Sequence, residues 1–98
     1  MLEKAYTFAM CVELAGNGIH FERERLVALT YKGVRVGEYR PDLIVEGQVV
    51  VEIKSVLHFE PVFTAQMLTY LRITKIRTGL LLNFNRPVLR EGIKRFVL

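Results

Sequence analysis

Residues 41–54 of the chain read PDLIVEGQVVVEIK, and the prediction of the fold starts from this segment. Two short apolar runs, residues 43–45 and 49–51, are typical of β-strands because they are rich in branched side chains. The three residues between them, 46–48, include a glycine and are long enough only for a tight turn. The stretch therefore predicts an antiparallel hairpin.

The register of this hairpin brings two acidic side chains together. Pairing about Gly47 sets Leu43 opposite Val51 and, one step further, Asp42 opposite Glu52, with Cβ atoms roughly 4.5–5.5 Å apart. Two carboxylates at that distance repel each other unless a positive group lies between them. Mg²⁺ and Mn²⁺ favour such oxygen ligands, so the sequence predicts a divalent-metal site at Asp42 and Glu52.

The strand period adds an amine to the two acids. Side chains two positions apart point to the same face of a strand, so Glu52 and Lys54 project together while Ile53 points the other way. An alternative stays open: Asp42 could cap a turn after Pro41, and Glu52 with Lys54 could form a solvated strand face. The acid–lysine pattern is short enough to arise by chance.

The rest of the chain predicts an α/β (α+β) fold in one domain spanning residues 1–98. We expect element order α-β-β-β-α-β with a C-terminal edge strand, and no repeats or linkers. The individual predictions are a helix over residues 2–15, a hairpin over 21–36 with its turn at 31–33, a helix from Pro61 to about Thr74, a strand over 79–82, a loop over 83–87 and an edge strand over 93–98.

Composition, charge and cysteine content limit the possible functions less narrowly than the motif does. The 98 residues are 51% hydrophobic, which is enough for a packed core, and the formal charge of +4 suits a polyanionic partner such as nucleic acid. Cys11 is the one cysteine, which excludes an intrachain disulfide and a zinc cluster built on cysteines. No apolar run approaches the roughly 20 residues that cross a bilayer, and the first residues do not form a signal peptide. We therefore expect a cytoplasmic protein with no membrane partner.

The first helix is apolar on more sides than one small sheet can cover. An exposed apolar patch on a small protein usually marks an interface. We therefore predict a homodimer with Phe8, Cys11 or Val12 close to the symmetry axis. Cys11 is otherwise expected to be a core thiol, and His20 and His58, which lack zinc-ligand spacing, are expected at the surface.

Six spaced segments of the chain resemble the GxxExxY proteins, a family of the PD-(D/E)XK nuclease superfamily. These segments are Glu3-Lys4-Ala5-Tyr6, Tyr31-Lys32-Gly33, Tyr39-Arg40-Pro41-Asp42, Glu52-Ile53-Lys54, residues 65–71 (AQMLTYL) and residues 79–84 (GLLLNF). They extend over nearly the whole chain. The resemblance is therefore more specific than the acid–lysine pattern alone.

The resemblance implies a restriction-endonuclease-like core, a four-stranded mixed sheet flanked by helices. It implies that Asp42 and Glu52 are metal ligands, with the backbone carbonyl of Ile53 as a further ligand, and that Lys54 is the catalytic lysine. Gln66 and Tyr70, four apart on one helical face, resemble the Gln-x-x-x-Tyr motif of exonuclease-like branches, although packing roles for both stay open. Arg40, opposite Lys54 in the predicted register, would contact phosphate or be solvated.

The sequence differs from the family motif near Met1. The family motif has a glycine three positions before the glutamate and usually a helix before that, and a chain beginning at Met1 has neither. We expect either a truncated start or a short member. Glu3 is therefore only a possible third acidic ligand.

These patterns together predict a Mg²⁺- or Mn²⁺-dependent nuclease, a hydrolase of nucleic-acid phosphodiester bonds with DNA as the expected substrate. Asp42, Glu52 and Lys54 would be catalytic, and Gln66, Tyr70 and Arg40 would bind the substrate. The alternative is a non-catalytic, dimeric nucleic-acid-binding or scaffold protein that keeps the fold, or an accessory subunit of a larger complex. Metal binding discriminates, because a scaffold needs no ion between the two acids.

Overall fold

The structure is a computed structural model that describes residues 2–87 and 89–98, together with the side chains of residues 3–87 and 89–98. Within these described residues, two α-helices and seven strands follow one another, with a 3-10 helix before the last strand. The elements are α1 (Leu2–Gly16), β1 (Phe21–Arg23), β2 (Val27–Tyr31), β3 (Val34–Tyr39), β4 (Leu43–Val45), β5 (Val49–Lys54), α2 (Pro61–Thr74), β6 (Thr78–Asn83), the 3-10 helix (Leu89–Gly92) and β7 (Ile93–Val97).

The predicted hairpin of β4 and β5 lies in the middle of the main sheet, with the predicted register. Leu43 pairs with Val51, and Val45 with Val49. The turn between the strands holds two consecutive residues with positive φ, 54° at Glu46 and 64° at Gly47, which is typical of a type I′ turn. This turn follows the twist of the strands and fixes their register.

The main sheet has five strands in the order β1-β4-β5-β6-β7, one more than the four implied by the family resemblance. The extra member is β1, which we predicted to pair with the following strand in a hairpin. Instead Phe21 pairs with Val45 and Arg23 with Leu43. The chain turns away at Glu24, whose φ is 53°. A hairpin with the predicted turn still forms, but from β2 and β3, as a separate two-stranded sheet.

Helices cover both faces of the main sheet, so the fold class α/β (α+β) is confirmed. On the first face α1 packs Tyr6, Met10, Cys11 and Leu14 against a buried cluster of Leu43, Val51, Ile53 and Leu82. On the second face α2 places Met67 and Leu71 against Val50, Leu81 and Phe96. Burial of each of these apolar side chains stabilises the folded state by roughly 1.5–3 kcal/mol.

The second half of the chain is close to its prediction. Pro61 begins α2, because its missing N–H is not needed at the first helical position. The strand β6 runs parallel to β5, and β7 pairs with β6 alone, at the edge. No helix of the described residues has the length and hydropathy needed to cross a membrane.

Candidate metal centre

Asp42 and Glu52 hold each other in place through hydrogen bonds between side chain and backbone. The backbone N–H of Asp42 donates to Glu52 Oε1 at 3.0 Å, and the N–H of Ile53 donates to Asp42 Oδ2 at 2.7 Å. The β4–β5 ladder ends at the pair Leu43 and Val51. Asp42 and Glu52 therefore lie one position beyond its last pair, although Glu52 itself belongs to β5. The hydrogen-bond exchange nevertheless sets both carboxylates at one end of the hairpin, as the register predicts.

The environment of the two carboxylates disfavours their charge. Burial, followed by the charge of the neighbouring Asp42, raises the pKa of Glu52 to about 7, although hydrogen bonds from Asp42 N–H and Tyr39 and the charge of Lys54 act to lower it. Burial also raises the pKa of Asp42, opposed by the Ile53 N–H and by Lys54. Two half-buried, adjacent acids with raised pKa values are typical of a functional site.

Lys54 supplies a positive charge on the same side. Its charge lowers the pKa of both Asp42 and Glu52, so its ammonium group lies close enough to interact with both. Its Nζ lies 4.7 Å from the centroid of the Phe63 ring on α2, within cation–π range. The aromatic ring therefore holds the lysine beside the acids.

Tyr39 is a member of the site that the sequence did not predict. Its hydroxyl donates to Glu52 Oε1 at 2.9 Å, and burial together with the Glu52 charge raises the pKa of Tyr39, so it stays a donor. Its ring stacks on that of Tyr70, with centroids 3.4 Å apart and planes 13° apart. The signal in the sequence was the family-like segment Tyr39-Arg40-Pro41-Asp42, in which we assigned roles to Asp42 and Arg40 but none to Tyr39.

The structure places only one of the three predicted substrate contacts next to the site. Tyr70 reaches the site through Tyr39, since its ring packs on that tyrosine, while Gln66 is exposed on α2. The predicted pairing of Arg40 with Lys54 is wrong: the β4–β5 ladder ends at Leu43 and Val51 and does not reach Arg40, whose guanidinium lies 3.7 Å from Glu38. The cause is Pro41, which lacks an N–H and separates Arg40 from β4.

Two further side chains fix the segment after Lys54. Asn83 is fully buried; its Nδ2 donates to Val56 O at 2.8 Å and its Oδ1 accepts from Val56 N at 3.1 Å. Glu3 on α1 accepts from Ser55 N through Oε2 at 3.0 Å. Its charge raises the pKa of Asp42, which places it nearby. The part of the chain that the structure describes contains no group of three His, Cys, Asp or Glu side chains arranged around a metal, so Glu3 as a third ligand stays a prediction.

The other assigned residues lie where expected. His20 and His58 are exposed, and Cys11 is half-buried against the core. Val12 is 71% exposed and Phe8 is 50% exposed on the outer side of α1.

The donor set at Asp42 and Glu52 fits a divalent ion. The described hydrogen bonds to the two carboxylates use Glu52 Oε1 and Asp42 Oδ2, which directs the other oxygen of each acid elsewhere. Two carboxylates with water and substrate oxygens completing the shell are the usual coordination of Mg²⁺. A cation here would also offset the repulsion from Asp42, which adds to burial in raising the pKa of Glu52.

Comparison with known proteins decides the family. The sequence profile of the PD-(D/E)XK nuclease superfamily matches residues 1–96. The chain belongs to this superfamily. The narrower likeness to GxxExxY proteins stays a prediction, and no curated protein matches the chain in sequence.

Solved structures agree with the PD-(D/E)XK fold. An alkaline exonuclease, LHK-Exo from Laribacter hongkongensis, superposes with a TM-score of 0.66 at 16% identity, over 96% of this chain and 55% of that one. The same enzyme in complex with dAMP also gives 0.66 at 16% identity, over 96% and 54%. The protein SSO0001 gives 0.60 at 21% identity, over 97% and 48%. The chain thus spans about half the length of these PD-(D/E)XK-like structures.

Proposed function

We propose that the chain is a Mg²⁺- or Mn²⁺-dependent nuclease that hydrolyses phosphodiester bonds of nucleic acid, with DNA as the substrate. The observation that carries the proposal is the pair of half-buried, mutually linked carboxylates beside Lys54, on a PD-(D/E)XK fold. The dAMP complex of the structurally similar exonuclease is consistent with a nucleotide product. A cytoplasmic location belongs to the same proposal.

Each residue of the site has a distinct task in this reaction. Asp42, Glu52 and the carbonyl of Ile53 would hold the ion, which when bound polarises the scissile phosphate and lowers the pKa of a water ligand. Lys54 would orient or deprotonate the attacking water and offset the charge that builds on the phosphate oxygens. Tyr39 would hold the Glu52 carboxylate in its ligating orientation, with Tyr70 packed behind it.

A cleavage panel tests the proposal directly. Single-stranded and duplex DNA and RNA would be incubated with Mg²⁺ or Mn²⁺ and either the wild-type protein or Asp42→Ala. We expect cleavage of DNA that depends on the ion and on Asp42. Cleavage that Asp42→Ala retains would indicate a contaminating nuclease, and no cleavage of any substrate would favour the non-catalytic alternative.

Tyr39→Phe should weaken metal binding while leaving the fold intact. The phenylalanine keeps the ring stacked on Tyr70 but removes the donor to Glu52 Oε1. Loss of a group that orients a metal ligand typically costs 10- to 100-fold in affinity, and we expect a loss in that range for Mn²⁺ by titration calorimetry. Tyr31→Phe, at an exposed tyrosine of the β2–β3 turn, is the control; equal affinities in the two variants would remove Tyr39 from the site.

The raised pKa of Glu52 predicts an unusual pH dependence of stability. Between its ordinary value of 4.5 and the folded value of about 7, the folded state holds a proton that the unfolded chain has released. The free energy of unfolding of the metal-free protein should therefore fall as pH rises through this window, then level off. Mn²⁺ affinity should rise over the same window, because the ion competes with that proton.

Thermal unfolding in EDTA between about pH 5 and pH 8 measures this contribution. Glu52→Gln, which cannot titrate, is the matched control and should show a flatter profile. A wild-type profile that rises with pH more steeply than that of Glu52→Gln would contradict the prediction.

A homodimer through the outer side of α1 is the second proposal for this chain. Val12 and Phe8 are the exposed apolar residues there, whereas Cys11 is packed against the core. Sedimentation equilibrium at micromolar concentration should give a dimer for the wild type and a shift to monomer for Val12→Ser. Val36→Ser, at a 65% exposed valine of β3, is the control. A monomeric wild type would show that α1 does not form the interface.

A further inference from the structure

An opening leads to Asp42 from the side of the sheet that α1 covers. It is a cleft of about 290 Å³ between α1 and the end of β1, and Asp42 forms part of its wall. Tyr39 and Tyr70 pack near Glu52, on the face covered by α2. The residues that line the cleft do not include the predicted substrate contacts Gln66, Tyr70 and Arg40. Its other lining residues are Lys4, Thr7, Phe8, Arg23 and Glu24.

The lining combines cations with an exposed aromatic ring. The Arg23 guanidinium carbon lies 4.8 Å from the centroid of the Phe8 ring, which is 50% exposed. Aromatic rings and arginine planes are the surfaces on which unpaired bases stack. Lys4 and Arg23 offer donors to a phosphate, while the acids Glu24 and Asp42 confine that phosphate to the basic side.

The size of the cleft limits what can enter. Pockets that enclose small ligands begin at about 300 Å³, so this cleft has the size of one nucleotide-sized group. A nucleotide seated here would lie directly beside a proposed metal ligand, Asp42. Its phosphate would be next along the strand from the one that is cleaved.

We infer that this cleft is a subsite for one unpaired nucleotide adjacent to the scissile phosphate. The base stacks on the Phe8–Arg23 pair, and Lys4 and Arg23 contact the phosphate. The inference rests on the proposed nuclease function and deepens it, because it assigns the substrate as a single strand or a frayed end. It also assigns the exposed ring of Phe8 to the substrate, which leaves Val12 as the apolar contact for association.

Binding of a single-stranded oligodeoxynucleotide of about 12 residues, followed by fluorescence anisotropy in EDTA to prevent cleavage, tests the subsite. Loss of one stacked base costs roughly 5- to 150-fold in affinity, and Phe8→Ala should weaken binding within that range. Val97→Ala, at a 59% exposed valine on the opposite edge strand, should bind as the wild type does. Equal affinities for the two variants would overturn the subsite.

An abasic scan of the same oligonucleotide makes the test specific to stacking. Removing the base should weaken wild-type binding most at one position along the strand. At that position Phe8→Ala should add little further loss, because the same contact is already missing. Fully additive losses at every position would show that Phe8 does not stack on a base.

Salt dependence tests the phosphate contact. Each neutralised phosphate of a single strand contributes about −0.7 to the slope of log affinity against log salt. Arg23→Gln should reduce the slope by about this amount, and Arg95→Gln, on the opposite edge strand β7, should not. Equal slopes for the two variants would overturn the assignment of Arg23. A wild-type protein that neither binds the oligonucleotide in EDTA nor cleaves it with Mg²⁺ or Mn²⁺ would overturn the proposed function itself, which separates the two failures.

Discussion

Asp42→Ala should abolish both Mn²⁺ binding and nucleic-acid cleavage. The alanine removes one of the two carboxylates of the site. Loss even of an outer-shell partner costs 10- to 100-fold in metal affinity, so loss of a ligand should cost at least about 100-fold. Titration calorimetry with Mn²⁺ and a cleavage assay on the same preparation measure both effects.

The alanine has a second consequence that must be separated from the first. Asp42 Oδ2 accepts the N–H of Ile53, and a buried donor left without a partner costs about 1–3 kcal/mol. Asp42→Asn is the matched variant, because its amide oxygen can still accept that hydrogen bond while its charge is lost. We expect Asp42→Asn to be more stable than Asp42→Ala and equally inactive.

An exposed acid provides the remaining control. Glu13→Gln, at an exposed position about 15 Å along α1 from Glu3, removes one negative charge away from the proposed ligands and should leave Mn²⁺ affinity unchanged. If all three variants bind Mn²⁺ as the wild type does, the ion is not held at Asp42 and the scaffold alternative gains support.

The core of the site could be predicted from the sequence because its determinants are local. A turn with glycine at its centre and alternating apolar residues on each side fix the register of β4 and β5. A one-residue slip would expose every core side chain of the hairpin. Once Leu43 pairs with Val51, Asp42 and Glu52 must approach each other. The superfamily, and with it the fold class, followed from spaced matches around this hairpin.

The parts that were missed depend on contacts between distant segments. Three residues, Phe21–Arg23, are too few for a periodicity that could reveal their partner, and their pairing with β4 is set by packing against the core. The hydrogen bond from the Tyr39 hydroxyl to Glu52 joins a residue of the two-stranded sheet to a residue of the main sheet. Arg40 was misplaced because the ladder was extended through Pro41, where a strand loses its donor.

Lys54→Met is the variant that separates catalysis from metal binding. The methionine keeps most of the aliphatic stem, which can still pack near Phe63, but it removes the ammonium group that interacts with both carboxylates. Removing a group that stabilises developing charge typically lowers the rate by 10²- to 10³-fold. We expect kcat to fall by that factor, while Mn²⁺ affinity is retained because Lys54 is not a ligand.

Lys32→Met is a close control for the same change. Lys32, in the turn between β2 and β3, also lies over an aromatic ring, with Nζ 5.5 Å from the centroid of Tyr31, but it is exposed and lies at the end of that hairpin remote from Tyr39. The two substitutions therefore remove the same charge and the same kind of cation–π contact, one beside the acids and one away from them. A selective loss of kcat in Lys54→Met assigns the chemistry to its amine, because lost packing or lost net charge would affect both variants. Equal cleavage by the two variants would instead leave Lys54 as a solvated neighbour of the acids, with no part in the reaction.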